Sequence, residues 1–257
     1  MDMGLRDTVA LVTGAGGNIG LAICAALKRE GCHVVATDVT RPDDGGDFEW
    51  HDLDVTSEAG WQGVIDGIRQ RHGRLDVLVN NAGIALMNPI SETSVETWDR
   101  TMAINGKGVF LGMKHAQALL AETGQSRAGG SAIVNLASGA ADKPAAFSIA
   151  YCSSKAAVRM ATRVAAVEYG ALKLPIRVNS VHPGVVASAM MDRILERYSG
   201  ITGVAAGDLR QAVLASHPMG KYVEPDEVAD AVVFLASTAS RHTHGASIHV
   251  DGGHAAT

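Results

Sequence analysis

The sequence predicts an α/β fold: one doubly wound domain over residues 1–257, with a seven-stranded, mainly parallel sheet and helices on both faces. Three observations predict it. Short runs rich in β-branched residues alternate with helix-spaced segments of ten or more residues, the pattern of right-handed crossover units. The runs are too continuously apolar for strands wetted on one face. No Pro/Gly/Ser-rich linker, repeat or low-complexity tract divides the chain.

The elements follow in order. Val9-Ala10-Leu11-Val12 is a strand bounded by Thr13-Gly14. Ile19 to Glu30 carries Ile19, Ala22, Ile23, Ala26 and Leu27 at helical spacing and stops at Gly31. His33 to Asp38 is the second strand, and Glu49 to Val55 a weaker third. Ser57 caps a helix running to His72, with Val64, Ile65 and Ile68 inward. Leu75 to Val79 is a strand ending in Asn80-Asn81-Ala82-Gly83. Ser94 to Glu122 is helical, broken or bent near Gly106 and Gly108. Ser131 to Leu136 is a strand, Ala150 to Gly170 a helix, and Ile176 to Val181 a strand ending at His182-Pro183-Gly184. Ser188 to Met219 reads as irregular or short-helical. A helix over Pro225 to Ser237 and a last strand, Ser247 to Val250, close the chain.

Composition narrows the function. Of 257 residues 47% are apolar and 19% charged, which excludes a disordered chain. The formal charge is −5 with no basic block, so nucleic acid and anionic lipid are not expected partners. Cys24, Cys32 and Cys152 form no CxxC pair, the N-terminus has no apolar signal core, and no apolar run reaches the ~18 residues of a membrane span. A cytoplasmic protein is expected.

Ligands of such sheets sit at the carboxyl ends of the strands. After the first strand comes Thr13-Gly14-Ala15-Gly16-Gly17-Asn18-Ile19-Gly20, opening directly into a helix. Glycines there let a diphosphate approach the backbone, and the helix start offers free N–H groups. The spacing is not GxGxxG. At the end of the second strand Asp38, with Val39 beside it, can accept both ribose hydroxyls of an adenosine and repel a 2′-phosphate. No Lys or Arg lies in the glycine loop; Arg41 is three residues past Asp38. NAD is therefore expected over NADP. Tyr151 and Lys155 stand four apart, on one helix face. A free phenol titrates near 10, and a neighbouring ammonium favours the phenolate, so the pair suits proton exchange with a hydroxyl/carbonyl couple.

Together these residues resemble the short-chain dehydrogenase/reductase family, in its branch of about 250 residues. The resemblance spans nearly the whole chain: the glycine loop from Thr13 to Gly20, Asp54-Val55, Asn80 to Gly83, Asn105, Ser138, Tyr151 with Lys155, Pro183-Gly184 and Asp251-Gly252-Gly253. It implies that Tyr151 is the acid/base and that Ser138 donates a hydrogen bond to the same substrate oxygen. Lys155 holds the nicotinamide ribose and lowers the Tyr151 pKa, and Asn105 positions a water behind Lys155. It also implies a cofactor surface made of Gly14, Gly17, Asn18, Ile19, Gly20, Asp38, Val39, Asp54, Val55, Asn81, Ala82, Gly83, Tyr151, Lys155, Pro183, Gly184, Val186 and Ser188, with Val186 and Ser188 on the nicotinamide carboxamide. Two positions depart from the family. Asn18 replaces the usual Gly, which left-handed tolerance or helix capping by Asn would accommodate, and Ser188 replaces the usual Thr.

The implied activity is hydride transfer between NAD and a secondary alcohol or ketone. Residues 187–219 act as a substrate lid offering Ala189, Met190, Met191, Ile194, Leu195, Tyr198 and Ile201, and Ala140 to Phe147 form the facing wall. The apolar walls favour a hydroxysteroid or a cyclic or aryl-alkyl alcohol. Arg193 and Arg197 read as solvated. A 3-oxoacyl thioester reductase and a non-catalytic nucleotide-binding scaffold are the alternatives; Asp38 disfavours the first and the complete Ser138–Tyr151–Lys155 set the second. No metal site is expected: His242-Thr243-His244 lacks a third ligand and reads as a surface loop, and His182 as a turn former. Apolar residues around more than one face of the Ala150 to Gly170 helix, among them Met160, Val164 and Val167, point to a homotetramer.

Overall fold

A computed structural model describes residues 3–256. Its seven strands are β1 (Val9–Thr13), β2 (His33–Asp38), β3 (Glu49–Asp52), β4 (Val77–Asn80), β5 (Ser131–Leu136), β6 (Ile176–Pro183) and β7 (Ser247–Val250). They pair in the order β3-β2-β1-β4-β5-β6-β7, every neighbour parallel. The sheet is thus wholly parallel, where the sequence promised only a mainly parallel one. Parallel strands need crossovers, and these helices cover both faces. They are α1 (Asn18–Arg29), α2 (Glu58–His72), α3 (Val95–Met102), α4 (Gly108–Gly124), α5 (Ile149–Ala171), α6 (Ala189–Thr202), α7 (Ala206–Ala215) and α8 (Pro225–Ala236).

The core is split by the sheet. On one side Trp61 and Ile65 of α2, Leu111 and Leu119 of α4, and Val158 and Tyr169 of α5 pack on Leu11, Leu78 and Ile133. On the other, Ile23 and Leu27 of α1 and Val228 and Val232 of α8 pack on Val12, Val79 and Val134. Alternate strand residues therefore feed opposite layers, and both are apolar, which is why these strands read as unbroken hydrophobic runs. The chain winds outward from β1 to β3, then returns to place β4 on the other side of β1. That reversal opens a crevice at the carboxyl ends of β1 and β4.

Local signals hold where they are chemical. Ser57 accepts from the Gly60 N–H (3.1 Å) and Ser94 from that of Thr97 (3.2 Å), starting α2 and α3. Glu224 and Glu227 form a capping box ahead of Pro225 at the start of α8. The expected bend near Gly106 is a π-helical turn, Ala103–Lys107, which turns Asn105 inward. The third strand stops at Asp52, short of Val55, because the main chain peels away there to enter α2. Ser188 to Met219 holds two true helices, α6 and α7. No described helix is long and apolar enough to cross a membrane.

Candidate active site

The turn after β1 is built from close backbone contacts. Gly14 has φ +63°, a region that penalises a Cβ, and a Cβ there would also lie 2.6 Å from Ala82 Cα. Thr13 ties this turn to the end of β4: its Oγ1 accepts from the N–H groups of Asn81 (3.0 Å) and Ala82 (3.2 Å). The Asn81 amide donates back to the carbonyls of Thr13 and Gly14, both at 2.9 Å. Gly20 lies directly under the turn; a Cβ there would sit 2.7 Å from Ala15 Cα.

The start of α1 is left open. Its N-cap, Gly17, supplies no side-chain bond, and the first turn holds no acid, whereas Ser57, Ser94 and Ser188 each cap their helices. First-turn N–H groups lack intrahelical acceptors, so they offer an anion both hydrogen bonds and a partial positive charge. Asn18 is the first residue of α1. It neither caps the helix nor takes a left-handed backbone, so neither accommodation expected for it is used.

A cavity of about 660 Å³ opens here. Gly14, Gly17, Asn18, Ile19, Gly20, Asp38, Val39, Asp54, Val55, Asn81, Ala82, Gly83 and Ser188 all line it. Asp38 Oδ2 accepts from the Gly16 N–H (2.9 Å) and Oδ1 from that of Val39 (2.7 Å), which fixes the carboxylate at the rim. A glycine cradle, an uncapped helix start and a rim carboxylate have the chemistry that a dinucleotide needs.

A second cavity, of about 580 Å³, adjoins it. The two share Ile19, Asn81, Gly83, Ser188 and Met190. Ser138, Tyr151, Lys155, Pro183, Gly184 and Val186 line the second. Ser138 follows β5, and its Oγ accepts from the Ala140 N–H (3.1 Å) and meets the Tyr151 hydroxyl. Lys155, one turn past Tyr151, is buried and donates to the Leu136 carbonyl at 2.8 Å. Burial pushes its pKa down to about 8. Burial also pushes the Tyr151 phenol up, opposed by the Ser138 hydrogen bond. The expected lowering of Tyr151 by Lys155 is not what governs it here: the ammonium sits 5.9 Å from the ring centroid and is directed to a carbonyl.

Asn105 lines neither cavity. It is fully buried behind Gly83, donating to Ser154 Oγ (3.0 Å) and the Ile84 carbonyl (2.9 Å) while accepting from the Ile84 N–H (2.8 Å). A carbonyl oxygen has two lone pairs, so one is left on Oδ1 for the water expected beside Lys155.

A family model described as enoyl-(acyl carrier protein) reductase matches residues 14–255. The chain belongs to the short-chain dehydrogenase/reductase family. Cyclopentanol dehydrogenase of Comamonas testosteroni is 38% identical, the match covering 98% of each chain. D-threitol dehydrogenase of Mycolicibacterium smegmatis is 37% identical over 98% of this chain and 95% of its own. Ligand-free aldohexose dehydrogenase of Thermoplasma acidophilum superposes with a TM-score of 0.90 at 31% identity, covering 100% of this chain and 97% of its own. The protein is an oxidoreductase acting on CH–OH groups with a nicotinamide cofactor.

This short-chain dehydrogenase/reductase also carries features the sequence did not disclose. Arg193, expected to be solvated, lines the first cavity together with Arg100. Arg197, likewise, binds the Met87 carbonyl (3.2 Å) and Asn88 Oδ1 (2.7 Å), pinning α6 to the loop after β4. Of the lid residues expected to meet substrate, Met190 and Met191 line the second cavity and Ile201 does not. His182 does not shape a turn. It is a buried residue of β6, bonded to Ser180 and to Asp142 Oδ2 (3.0 Å), and burial pushes its pKa down to about 4. Asp142, His182 and His249 bring three possible metal-ligand atoms within 4.8 Å of one another. Arg159 already pairs with Asp142 at 2.5 Å, so a cation's charge is supplied within the protein. His244 clips β6 to α5, accepting from the Val178 N–H (3.1 Å) and bonding the Ala166 carbonyl (2.8 Å). These partners come from strands, helices and loops far apart in sequence, so spacing carried no trace of them.

Proposed function

We propose that this enzyme transfers a hydride between NAD and a secondary alcohol or the matching ketone, on a cyclic or otherwise hydrophobic frame. The observation that carries the reading is the second cavity. Its walls are mostly apolar, and Ser138, Tyr151 and Lys155 stand on it next to the residues it shares with the first cavity. The Tyr151 phenol exchanges the proton at the substrate oxygen, and Ser138 Oγ donates a hydrogen bond to that oxygen as charge develops. Lys155 holds the nicotinamide ribose, and Asn105 is a positioning residue behind it. Pro183, Gly184, Val186 and Ser188 would hold the nicotinamide end of the cofactor. Bound there, the nicotinamide supplies the hydride acceptor or donor.

Asp38 supports NAD, since a carboxylate at the rim repels a 2′-phosphate. Arg41 lies over the Trp50 ring, 5.6 Å from its centroid, and does not line the first cavity. The same reasoning disfavours an NADPH-linked 3-oxoacyl thioester reductase. The segment 187–219, with α6 and α7, acts as the lid, as Met191, Ile194, Leu195 and Tyr198 on α6 support. The cyclopentanol-named relative agrees with an apolar cyclic substrate, and the threitol-named one with a more polar alternative. Exposed Met160, Val164 and Val167 form one stripe on α5, and Phe110 is exposed on α4; this supports burial between copies in a homotetramer. Three free cysteines support a cytoplasmic, reducing setting.

Initial rates on cyclic and open-chain secondary alcohols, with NAD and NADP side by side, test the reading. We expect NAD to be preferred and cycloalkanols to be oxidised. Activity confined to acidic sugars, or a preference for NADP, overturns it.

A further inference from the structure

One residue on the wall of the substrate cavity, His217, has a buried ring nitrogen with no partner among the described residues. The structure assigns His217 as a second hydrogen-bond anchor for the substrate, selecting alcohols that carry another hydroxyl group away from the reacting carbon. The inference rests on reading that cavity as the alcohol pocket.

His217 lies just after α7 and is only 2% exposed. Its Nδ1 is 2.8 Å from the Val213 carbonyl, one turn back. A carbonyl can only accept, so the proton sits on Nδ1 and Nε2 keeps its lone pair. The two ring nitrogens point in nearly opposite directions, so Nε2 looks away from the helix. It is buried and has no partner among the described residues. The His254 ring stacks on it at 4.5 Å and 14°, which fixes the plane of the imidazole.

Buried polar side-chain atoms without partners are uncommon, and each asks for an explanation. Among the described residues they belong to Trp50, Asn80, Arg127, Ser131, Arg159 and His217. Of these, His217 alone lines either cavity. The other polar groups around the substrate cavity are engaged. Ser148 donates to the Ala145 carbonyl, the Tyr198 hydroxyl to that of Ala146, and Ser216 to that of Val213. Ser188 Oγ caps α6. Lys143 and His254 also line it, Lys143 donating to the His254 carbonyl (3.2 Å) and His254 Nδ1 bonding the Ser216 carbonyl (3.1 Å). Besides that engaged pair, polar recognition is offered by Ser138 and Tyr151 for the reacting oxygen and by His217 Nε2 for a donor elsewhere on the molecule. An acceptor with no proton suits a hydroxyl and not a carboxylate. A site built to bond a hydroxyl rejects the analogue that lacks it, because its own polar group is then left unpaired.

The test compares cyclohexanol with the 1,2-, 1,3- and 1,4-cyclohexanediols and with 4-hydroxycyclohexanecarboxylate, by kcat/KM and by calorimetric binding to the enzyme–NADH complex. In the wild type at least one diol is expected to exceed cyclohexanol roughly tenfold to hundredfold. His217→Phe keeps the ring stack and removes both nitrogens; it should erase that preference and leave cyclohexanol turnover within about twofold. His217→Gln restores an acceptor and should recover part of it. Equal handling of diols and cyclohexanol by the wild type overturns the inference without any variant. So does a parallel loss on both substrates in His217→Phe, which marks a structural role, or a preference for the hydroxy acid. If no alcohol is oxidised, the proposed function falls, and the binding arm still decides for or against His217.

Discussion

Gly20 and Gly17 separate the two tasks of the glycine turn, building it and leaving it open. In Gly20→Ala the new methyl would lie 2.7 Å from Ala15 Cα and closer still to the Gly14 carbonyl oxygen. Both are backbone atoms, held by the Thr13–Asn81 clip, so no flexible side chain can yield. Overpacking of this kind costs about 1–3 kcal/mol, and a backbone clash belongs at the upper end. For a chain of this size about 3 kcal/mol lowers Tm by about 6–12 °C. Gly17→Ala meets only the Gly14 oxygen, at 3.6 Å, and φ −81° suits alanine. Its stability should stay within about 1 kcal/mol of the parent. Its methyl would instead project where a diphosphate approaches the open helix start. Losing one charge-assisted hydrogen bond there, about 1.5–3 kcal/mol, weakens binding about 10- to 100-fold. Thermal denaturation followed by circular dichroism reads the first effect and NADH fluorescence titration the second. A Gly20→Ala protein that melts with the parent, or a Gly17→Ala protein that binds NADH as tightly, refutes the reasoning.

Two further outcomes are expected. Tyr151→Phe should bind NADH normally and lose about 10²- to 10⁴-fold in turnover, the worth of a positioned acid/base; parent-like rates would assign the proton transfer to another group. His182 gives an acid-stability signature. Burial, helped by the His249 charge, holds its folded pKa at about 4 against 6.5 unfolded. The contribution is whole above pH 6.5 and drains as pH falls to 4. That span of about 2.5 units corresponds to about 3 kcal/mol. Urea melts of His182→Gln should show a flatter fall between pH 6.5 and 4; an unchanged slope would show that His182 is not the group titrating.

The elements legible in the sequence were those whose cause is local. Ser57, Ser94 and Pro225 start helices through bonds made within one turn, and the Val-rich runs pack into two apolar layers whatever their neighbours. The glycine loop, Asp38, Ser138, Tyr151 and Lys155 could be ordered along the chain because each follows a strand end or shares a helix face. What stayed hidden depends on packing between distant segments. Lys155 donates to Leu136 across the β5–α5 contact, so its effect on Tyr151 could not be weighed from a spacing of four. The lid read as irregular because α6 and α7 carry polar outer faces and Gly203 between them. Asp142 and His249 are 107 positions apart yet share the His182 contact.

The unfinished first turn of α1 has a consequence beyond catalysis. On the proposed reading, a dinucleotide seated at that turn would stabilise the fold as well as serve the reaction: at 100 times its Kd it would add about 2.7 kcal/mol to the native state. Its resistance to unfolding would then rise and fall with the supply of the redox carrier, which melting temperatures measured across NADH concentrations would read.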